Sequence, residues 1–280
     1  MSIDRLQNQI RKLKNPSMVM FSLDYSQIPQ AYGDAEDGYC RYVEQLLVAL
    51  KELVPAVRFS FGSFALCGAR GLDMLSRLLN FSKEQGFYVL LDAPGFYSPR
   101  EVELAAEALF NNWQFDGLVL ECYLGSDVIK PFLNKLSDKD LFVAVRTGNR
   151  SAQELQDLLT GSRLVYMAAA DMVKRLGESH MGKCGYSQVA AIGPATSAES
   201  LRTLRSKNPN MFLLVDGFDY SGANGKNCSL AFDNLGHGAI VCAGSSIVAA
   251  WLEEDGDAVS LAVQAAERMK KNLSRYIAIL

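Results

Sequence analysis

Short apolar runs alternate with longer amphipathic segments along the whole chain. Eight of the runs are rich in Val, Ile, Leu and Phe and are nearly continuous, as expected for strands buried on both faces of a parallel sheet. They occupy residues 18–24, 57–61, 87–92, 117–122, 141–146, 189–193, 211–217 and 238–244. Eight such strands, each followed by a helical segment, predict an α/β fold, the (β/α)8 TIM barrel.

The segments between the runs have helical periodicity. Residues 37–53 place leucines on one face, and residues 98–110 begin with Ser-Pro-Arg-Glu, which suits an N-cap, a first-turn proline and a capping box. Helices are likewise predicted over 151–159 and 197–206, each of which begins with a serine.

No linker or composition shift divides the chain, so residues 1–280 are expected to form a single barrel domain. Residues 1–15 form a polar amphipathic pattern that ends at a proline, and we expect this helix to close the bottom of the barrel. Residues 256–276 are expected to form the last helix, packed on the outside.

Composition narrows the function classes. The chain is 49% hydrophobic and 21% charged with a net charge of −3, so we expect neither a nucleic-acid nor a membrane partner. It lacks a 20-residue apolar stretch and a signal-peptide core, which predicts a cytoplasmic protein. The six cysteines form no C-x-x-C pair and the two histidines do not flank them, so reduced thiols and no metal or cofactor are expected.

Charged residues collect where the predicted strands end, which is the functional face of such barrels. These residues are Asp24, Arg58, Asp92, Glu121, Arg146 and Asp216, together with the turn Gly244-Ser245-Ser246. Four carboxylates at one mouth leave a Mg²⁺ site open as a minor alternative, although no metal motif accompanies them.

Several long segments resemble the orotidine 5′-monophosphate (OMP) decarboxylase family, in its longer bacterial form. They are DRLQNQIRKLKNP (4–16), LVPAVRFSFGSFALCGARGLDML (53–75), FVAVRTGNRSAQELQDL (142–158) and FLLVDGF (212–218). The resemblance covers nearly the whole chain. It implies a barrel, a homodimer, and conversion of OMP to UMP and CO₂ in pyrimidine biosynthesis.

The resemblance also implies a Lys-Asp-Lys-Asp charge array at the ends of strands 2 and 3. Its second lysine, in a D-x-K-x-x-D motif, stabilises and protonates the carbanion, and the last aspartate enters the neighbouring subunit's site. Here Asp92 matches the first aspartate, but Pro94 occupies the catalytic lysine position and Tyr97 that of the last aspartate. Arg58 replaces the strand-2 lysine, so Arg58 and Asp92 are interpreted as remnants of the array.

The family's substrate contacts have changed too, apart from Asp24, which matches an aspartate that contacts the ribose. Gly148 stands where a serine contacts the pyrimidine. Ser221 lies near the position of a phosphate-binding glutamine, and Ser245 at that of a phosphate-clamping arginine. Asp219, nearby, would repel a phosphate dianion further.

The changes predict a degenerate decarboxylase-like barrel without useful decarboxylation, because losing one preorganised donor typically costs about 10²–10³ in rate. A binding or regulatory role and a site retooled for another small molecule both remain open. The alternative is an active decarboxylase in which Arg58 or Arg100 supplies the cation. An open, polar mouth favours the retooled site, whereas a mouth filled by Phe96, Tyr97 and Phe218 favours a non-catalytic barrel.

Structural roles compete with these functional ones. Asp24 and Asp92 would also persist as partners of Arg58 in a buried ion cluster. Arg146 would equally serve as the partner of a neighbouring strand-end carboxylate, and Glu121 as a solvated rim residue. Otherwise Glu121 and Arg146 join the candidate ligand contacts.

Overall fold

Eight parallel strands close into one barrel, in which each strand pairs with its neighbours in chain order. The computed structural model describes residues 1–33, 35–93, 95–96, 98–220 and 222–280. The strands are β1 (Ser17–Phe21), β2 (Ala56–Ser60), β3 (Tyr88–Asp92), β4 (Gly117–Glu121), β5 (Asp140–Ala144), β6 (Val189–Pro194), β7 (Leu213–Asp216) and β8 (Ala239–Ala243). The predicted (β/α)8 barrel is confirmed, since every apolar run contributes one strand.

Helices surround the barrel. They are α1 (Ser2–Leu13), α2 (Ala35–Leu50), α3 (Phe61–Ala65), α4 (Gly68–Glu84), α5 (Pro99–Asn112), α6 (Lys130–Leu133), α7 (Val165–Gly177), α8 (Ala198–Lys207), α9 (Gly225–Cys228), α10 (Ser245–Val248) and α11 (Ala258–Ser274). The predicted caps are present: the side chain of Ser98 accepts the amide of Glu101, and that of Ser197 accepts the amide of Ser200.

The helix predicted over 151–159 is wrong. Only a 3₁₀ turn forms there, at Arg150–Glu154, and a two-stranded antiparallel hairpin over 159–164 follows it. The side chain of Gln156 accepts the amide of Thr147 at 2.8 Å and thereby holds the segment against the end of β5. This anchoring outweighs the local preference for a capped helix.

The N-terminal helix covers the lower end of the barrel. Ile3 and Leu6 of α1 are fully buried and pack in one apolar cluster with Tyr88, Phe142 and Phe212 from the barrel interior. On the outer wall, α11 packs against α2. This helix leaves the upper end, where the strands finish, uncovered.

The structure bears on two further expectations from composition. Within the described ranges, no helix is long and apolar enough to cross a membrane. All six cysteines are free thiols.

Candidate active site at the barrel mouth

Arg58 lies across the barrel mouth between two carboxylates. Its Nε and Nη2 donate to the two carboxylate oxygens of Asp92 at 2.6 and 3.2 Å. Its Nη1 lies 3.1 Å from Oδ2 of Asp216. Because β3 is the neighbour of β2 but β7 is not, the guanidinium joins separate parts of the rim.

This ion cluster is taken out of water, since Arg58 is only 6% exposed. Burial alone would lower the pKa of Arg58, but Asp92 and Asp216 outweigh it and raise the pKa well above its ordinary value. The guanidinium therefore remains a fixed cation whose charge is balanced inside the protein.

Asp24 does not belong to this cluster. Its carboxylate is exposed and accepts the amide and hydroxyl of Ser26 at 2.9 and 2.6 Å, which caps the 3₁₀ turn Tyr25–Gln27. The expectation that Asp24 partners Arg58 is wrong because β1 ends at Phe21, so that Asp24 belongs to the following loop. Asp216 takes its place.

A cavity of about 590 Å³ opens beside the cluster. Arg58, Asp92 and Glu121 supply its charged groups, whereas Phe96 and Tyr123 contribute aromatic rings. Phe96 packs on Phe132 at a centroid distance of 5.9 Å and lines the cavity, and Phe218 is half-buried against the main core. Among the described residues, the mouth is open and a few charged groups converge on it, the arrangement that favours a ligand site.

Glu121 is the final residue of β4 and projects into this cavity. Among the described residues its carboxylate has neither an ion pair nor a hydrogen bond. Although Glu121 stays solvent-exposed, partial loss of hydration and the nearby charge of Asp92 raise its pKa, while Arg58 opposes the rise. It is the one carboxylate of the mouth described here that is left without a partner.

A second cavity, of about 380 Å³, lies on the other side of the Arg58–Asp216 ion pair. Gln27, Asp216, Asp219, Tyr220 and Ser245 are among the residues that line it. Ser245, at the start of α10, brings a hydroxyl but no charge. The strand-end rim on this side is acidic.

Asp219 ties the loop after β7 to the turn after β8. Its Oδ2 accepts the amide of Gly244 at 2.5 Å, and its Oδ1 accepts the amide of Ser246 at 3.2 Å. An internal carboxylate thus occupies backbone donors in the region that the family resemblance associates with phosphate.

Arg146 is engaged away from the cavities. Its Nε and Nη2 each donate to the carboxylate of Asp157 at 2.9 Å, and its Nη1 donates to the carbonyl of Thr147. An ion pair was expected here, but its partner comes from the segment after the 3₁₀ turn rather than from a neighbouring strand end. The guanidinium consequently braces that segment.

Gly148 lies beneath an aromatic ring that the sequence reasoning missed. A Cβ at Gly148 would lie 3.3 Å from Cδ2 of Tyr220, and one at Gly217 would lie 2.5 Å from the same atom. The two glycines therefore allow Tyr220 to lie over the ends of β5 and β7. The aromatic residue inside the strand-7 loop, DGFDYSGAN, was the available signal.

Three predicted positions, Pro94, Tyr97 and Ser221, lie outside the described residues. Within the described part of the chain, no group of three or more His, Cys, Asp or Glu side chains could hold a metal ion. Asp92 and Asp216 bind Arg58, whereas Asp24 caps its own turn, so the four-carboxylate Mg²⁺ site is not assembled.

The fold places this protein among the (β/α)8 barrels, and charged strand-end residues line a cavity at its mouth. No protein-family model matches the chain. It is 28% identical over 264 residues to orotidine 5′-phosphate decarboxylase of Clostridium novyi, an alignment that covers 91% of each chain.

Solved structures agree at the level of the fold. OMP decarboxylase of Leishmania donovani superposes with a TM-score of 0.76 at 19% identity, covering 97% of this chain and 98% of that one. The decarboxylase of Methanocaldococcus jannaschii, solved with the inhibitor BMP, gives a TM-score of 0.64 at 15% identity, with 91% and 98% covered. The chain is thus similar in sequence to curated OMP decarboxylases, and the solved decarboxylases share its barrel fold.

Proposed function

We propose that this protein is a degenerate member of the OMP decarboxylase family that no longer decarboxylates OMP and instead binds another small molecule at its mouth. The observation that carries the proposal is the state of Arg58. This buried cation is held by Asp92 and Asp216 together, so its charge is already compensated before any substrate arrives.

Decarboxylation of OMP leaves a carbanion that must be stabilised and then protonated. A guanidinium with a raised pKa is a poor proton donor, and the two carboxylates hold it in place. The sequence offers proline, with neither charge nor N–H, where the family resemblance implies the working lysine. This chain therefore has no lysine at the position from which, by the family resemblance, the cation would act on the carbanion.

Phosphate recognition is weakened in the same way. Ser245 stands at the position that the resemblance gives to a phosphate-clamping arginine. The carboxylate of Asp219 already accepts hydrogen bonds from two backbone amides nearby. Since remote phosphate binding helps to drive chemistry at the base, its loss lowers the expected rate further. Asp216 and Asp219 would oppose a dianion.

An active decarboxylase is the second candidate, and the similarity to a curated decarboxylase along 91% of the chain favours it. It would require another cation near the substrate. Arg100 is the nearest alternative in sequence, but its guanidinium pairs with Glu103 at 2.8 Å on the exposed face of α5. This candidate is accordingly the less favoured one.

The deciding experiment follows OMP by ultraviolet absorbance at high protein concentration. We expect a flat trace, while the same solution spiked with an active decarboxylase loses OMP and thereby shows that the substrate is competent. Turnover proportional to protein concentration would overturn the proposal. Arg58→Met and Arg100→Met would then identify the cation by which of them abolishes it.

A homodimer and a cytoplasmic location remain predictions from the resemblance and the composition. Light scattering on the purified protein tests the first, with a mass of twice 30.7 kDa expected. A monomeric mass would contradict it.

A further inference from the structure

The positive groups of the mouth that are described here are already matched by the protein's own carboxylates. Asp92 and Asp216 compensate Arg58, and Asp219 accepts from the amides of Gly244 and Ser246. An anionic ligand would have to displace one of these internal carboxylates before it could bind the same donors.

One negative group of the mouth, in contrast, has no partner among the described residues. Glu121 lines the larger cavity and has no partner among the described residues, whereas the neighbouring Asp92 is fully engaged. A ligand that carries a positive charge would complete the charge balance of this cavity without breaking any existing contact.

The walls around Glu121 suit an apolar body. Phe96, Leu124 and Val128 line the cavity, and Tyr123, 82% exposed, places an aromatic ring at its edge. A volume of about 590 Å³ lies within the range typical of small-molecule sites. Aromatic faces also attract ammonium groups.

We infer that the mouth takes an organic ammonium compound with an apolar or aromatic body, whose charged nitrogen pairs with Glu121 and whose body lies against Phe96 and Tyr123. The inference rests on the proposed function and names the ligand class for that same site. Glu121 is the residue that sets the preference for positive charge.

The test uses three probes of similar shape and different charge: 2-phenylethylamine, 2-phenylethanol and phenylacetate. Binding to the intact protein is measured at pH 7 by ligand-observed NMR, up to about 10 mM, which covers weak millimolar affinities. The amine is expected to bind at least about tenfold more tightly than the alcohol and the anion. Inorganic phosphate, tested as a competitor, is expected not to displace it.

Glu121→Gln removes the charge at nearly constant shape and is expected to abolish the tenfold preference. Asp127→Asn is the matched control, because Asp127 is an exposed carboxylate in the adjacent 3₁₀ turn Gly125–Val128 but does not contribute to the cavity lining. It is expected to leave the preference unchanged. Thermal unfolding of both variants verifies that they are folded.

Three results would overturn the inference: no detectable binding of the amine, equal or tighter binding of phenylacetate, or an amine preference that survives Glu121→Gln. These outcomes are distinct from failure of the proposed function, which turnover of OMP alone decides. A flat OMP trace with no amine binding would leave the loss of decarboxylation standing and reject only the ligand class.

Discussion

The guanidinium of Arg58 donates to both carboxylate oxygens of Asp92, and this pair is the most buried charged contact of the mouth. The two side chains are 7% and 19% exposed, whereas that of Asp216 is 39% exposed. Asp92→Asn leaves the buried cation without its bidentate partner and is expected to lower the free energy of unfolding by about 3 kcal/mol. Urea denaturation measures the change.

Asp216→Asn is the matched comparison, because it removes a single contact to the same guanidinium at a more exposed position. Its expected cost is about 1 kcal/mol. If Asp216→Asn proved as costly as Asp92→Asn, the view that Asp92 is the principal partner of Arg58 would be wrong.

Asp219→Ala should destabilise the protein through the loss of a cap between distant segments. Its carboxylate joins the amides of Gly244 and Ser246, 25 and 27 residues further along the chain. The expected loss is about 1–2 kcal/mol in the free energy of unfolding, the upper part of the range for a capping aspartate. Urea denaturation again provides the measurement.

Asp24→Ala supplies the control, since Asp24 is also a capping aspartate at the mouth but serves only the local turn Tyr25–Gln27. A loss below about 0.5 kcal/mol is expected for this exposed, local cap. Equal losses in the two variants would argue against a long-range role for Asp219.

The barrel could be predicted because strands buried on both faces leave continuous apolar runs, which eight segments of this sequence show. The residues at which the strands end were harder to predict from the sequence. The run at 18–24 resumes with Leu23 after a single serine, yet pairing stops at Phe21. Asp24 therefore lies in a loop, whereas Asp92 and Asp216, the final residues of their strands, reach Arg58.

The remaining contacts of the site depend on tertiary structure rather than on local pattern. The sequence identified Asp219 as an acidic neighbour of the expected phosphate region, but not that it accepts the amide of Gly244. Backbone donors carry no signature in the side-chain sequence. The contact of Tyr220 with Gly148 likewise joins the loops after β5 and β7, two strands that the sheet places on either side of β6.

Gly217→Ala is expected to disturb the position of Tyr220. Gly217 has a φ of +81°, and an added Cβ would lie 2.5 Å from Cδ2 of Tyr220. Backbone strain and crowding together should cost about 2–3 kcal/mol in the free energy of unfolding, measured with urea. Adding Tyr220→Ala should relieve the crowding and leave the strain.

Gly222→Ala separates the two causes. Gly222 has a similar φ of +87°, but no atom of the residues that the structure describes lies within 4 Å of an added Cβ. It should cost about 1 kcal/mol from strain alone. If Gly217→Ala lowered the free energy of unfolding by no more than this value, Tyr220 would be free to move away from the added Cβ at no energetic cost.

Asp140 lies at the bottom of the barrel and should make the free energy of unfolding depend on pH. This fully buried carboxyl accepts the hydroxyl of Tyr88 at 2.8 Å, and burial raises its pKa from an ordinary 3.8 to about 7. Between these values the folded protein keeps a proton that the unfolded chain releases. The contribution of Asp140 is thus fully present below about pH 4 and is lost as the pH rises to about 7, by about 1.4 kcal/mol per unit.

Asp140→Asn cannot ionise, yet its amide oxygen can still accept from Tyr88. The free energy of unfolding of this variant, minus that of the parent protein, should therefore rise by about 4 kcal/mol between about pH 4 and 7 and then level off. Asp138→Asn is the control, because the hydroxyl of Ser137 lowers the pKa of Asp138, so that this carboxyl is ionised in both the folded and the unfolded chain above about pH 4 and its difference curve should be nearly flat there. A flat difference curve for Asp140→Asn would show that Asp140 ionises normally in the folded protein.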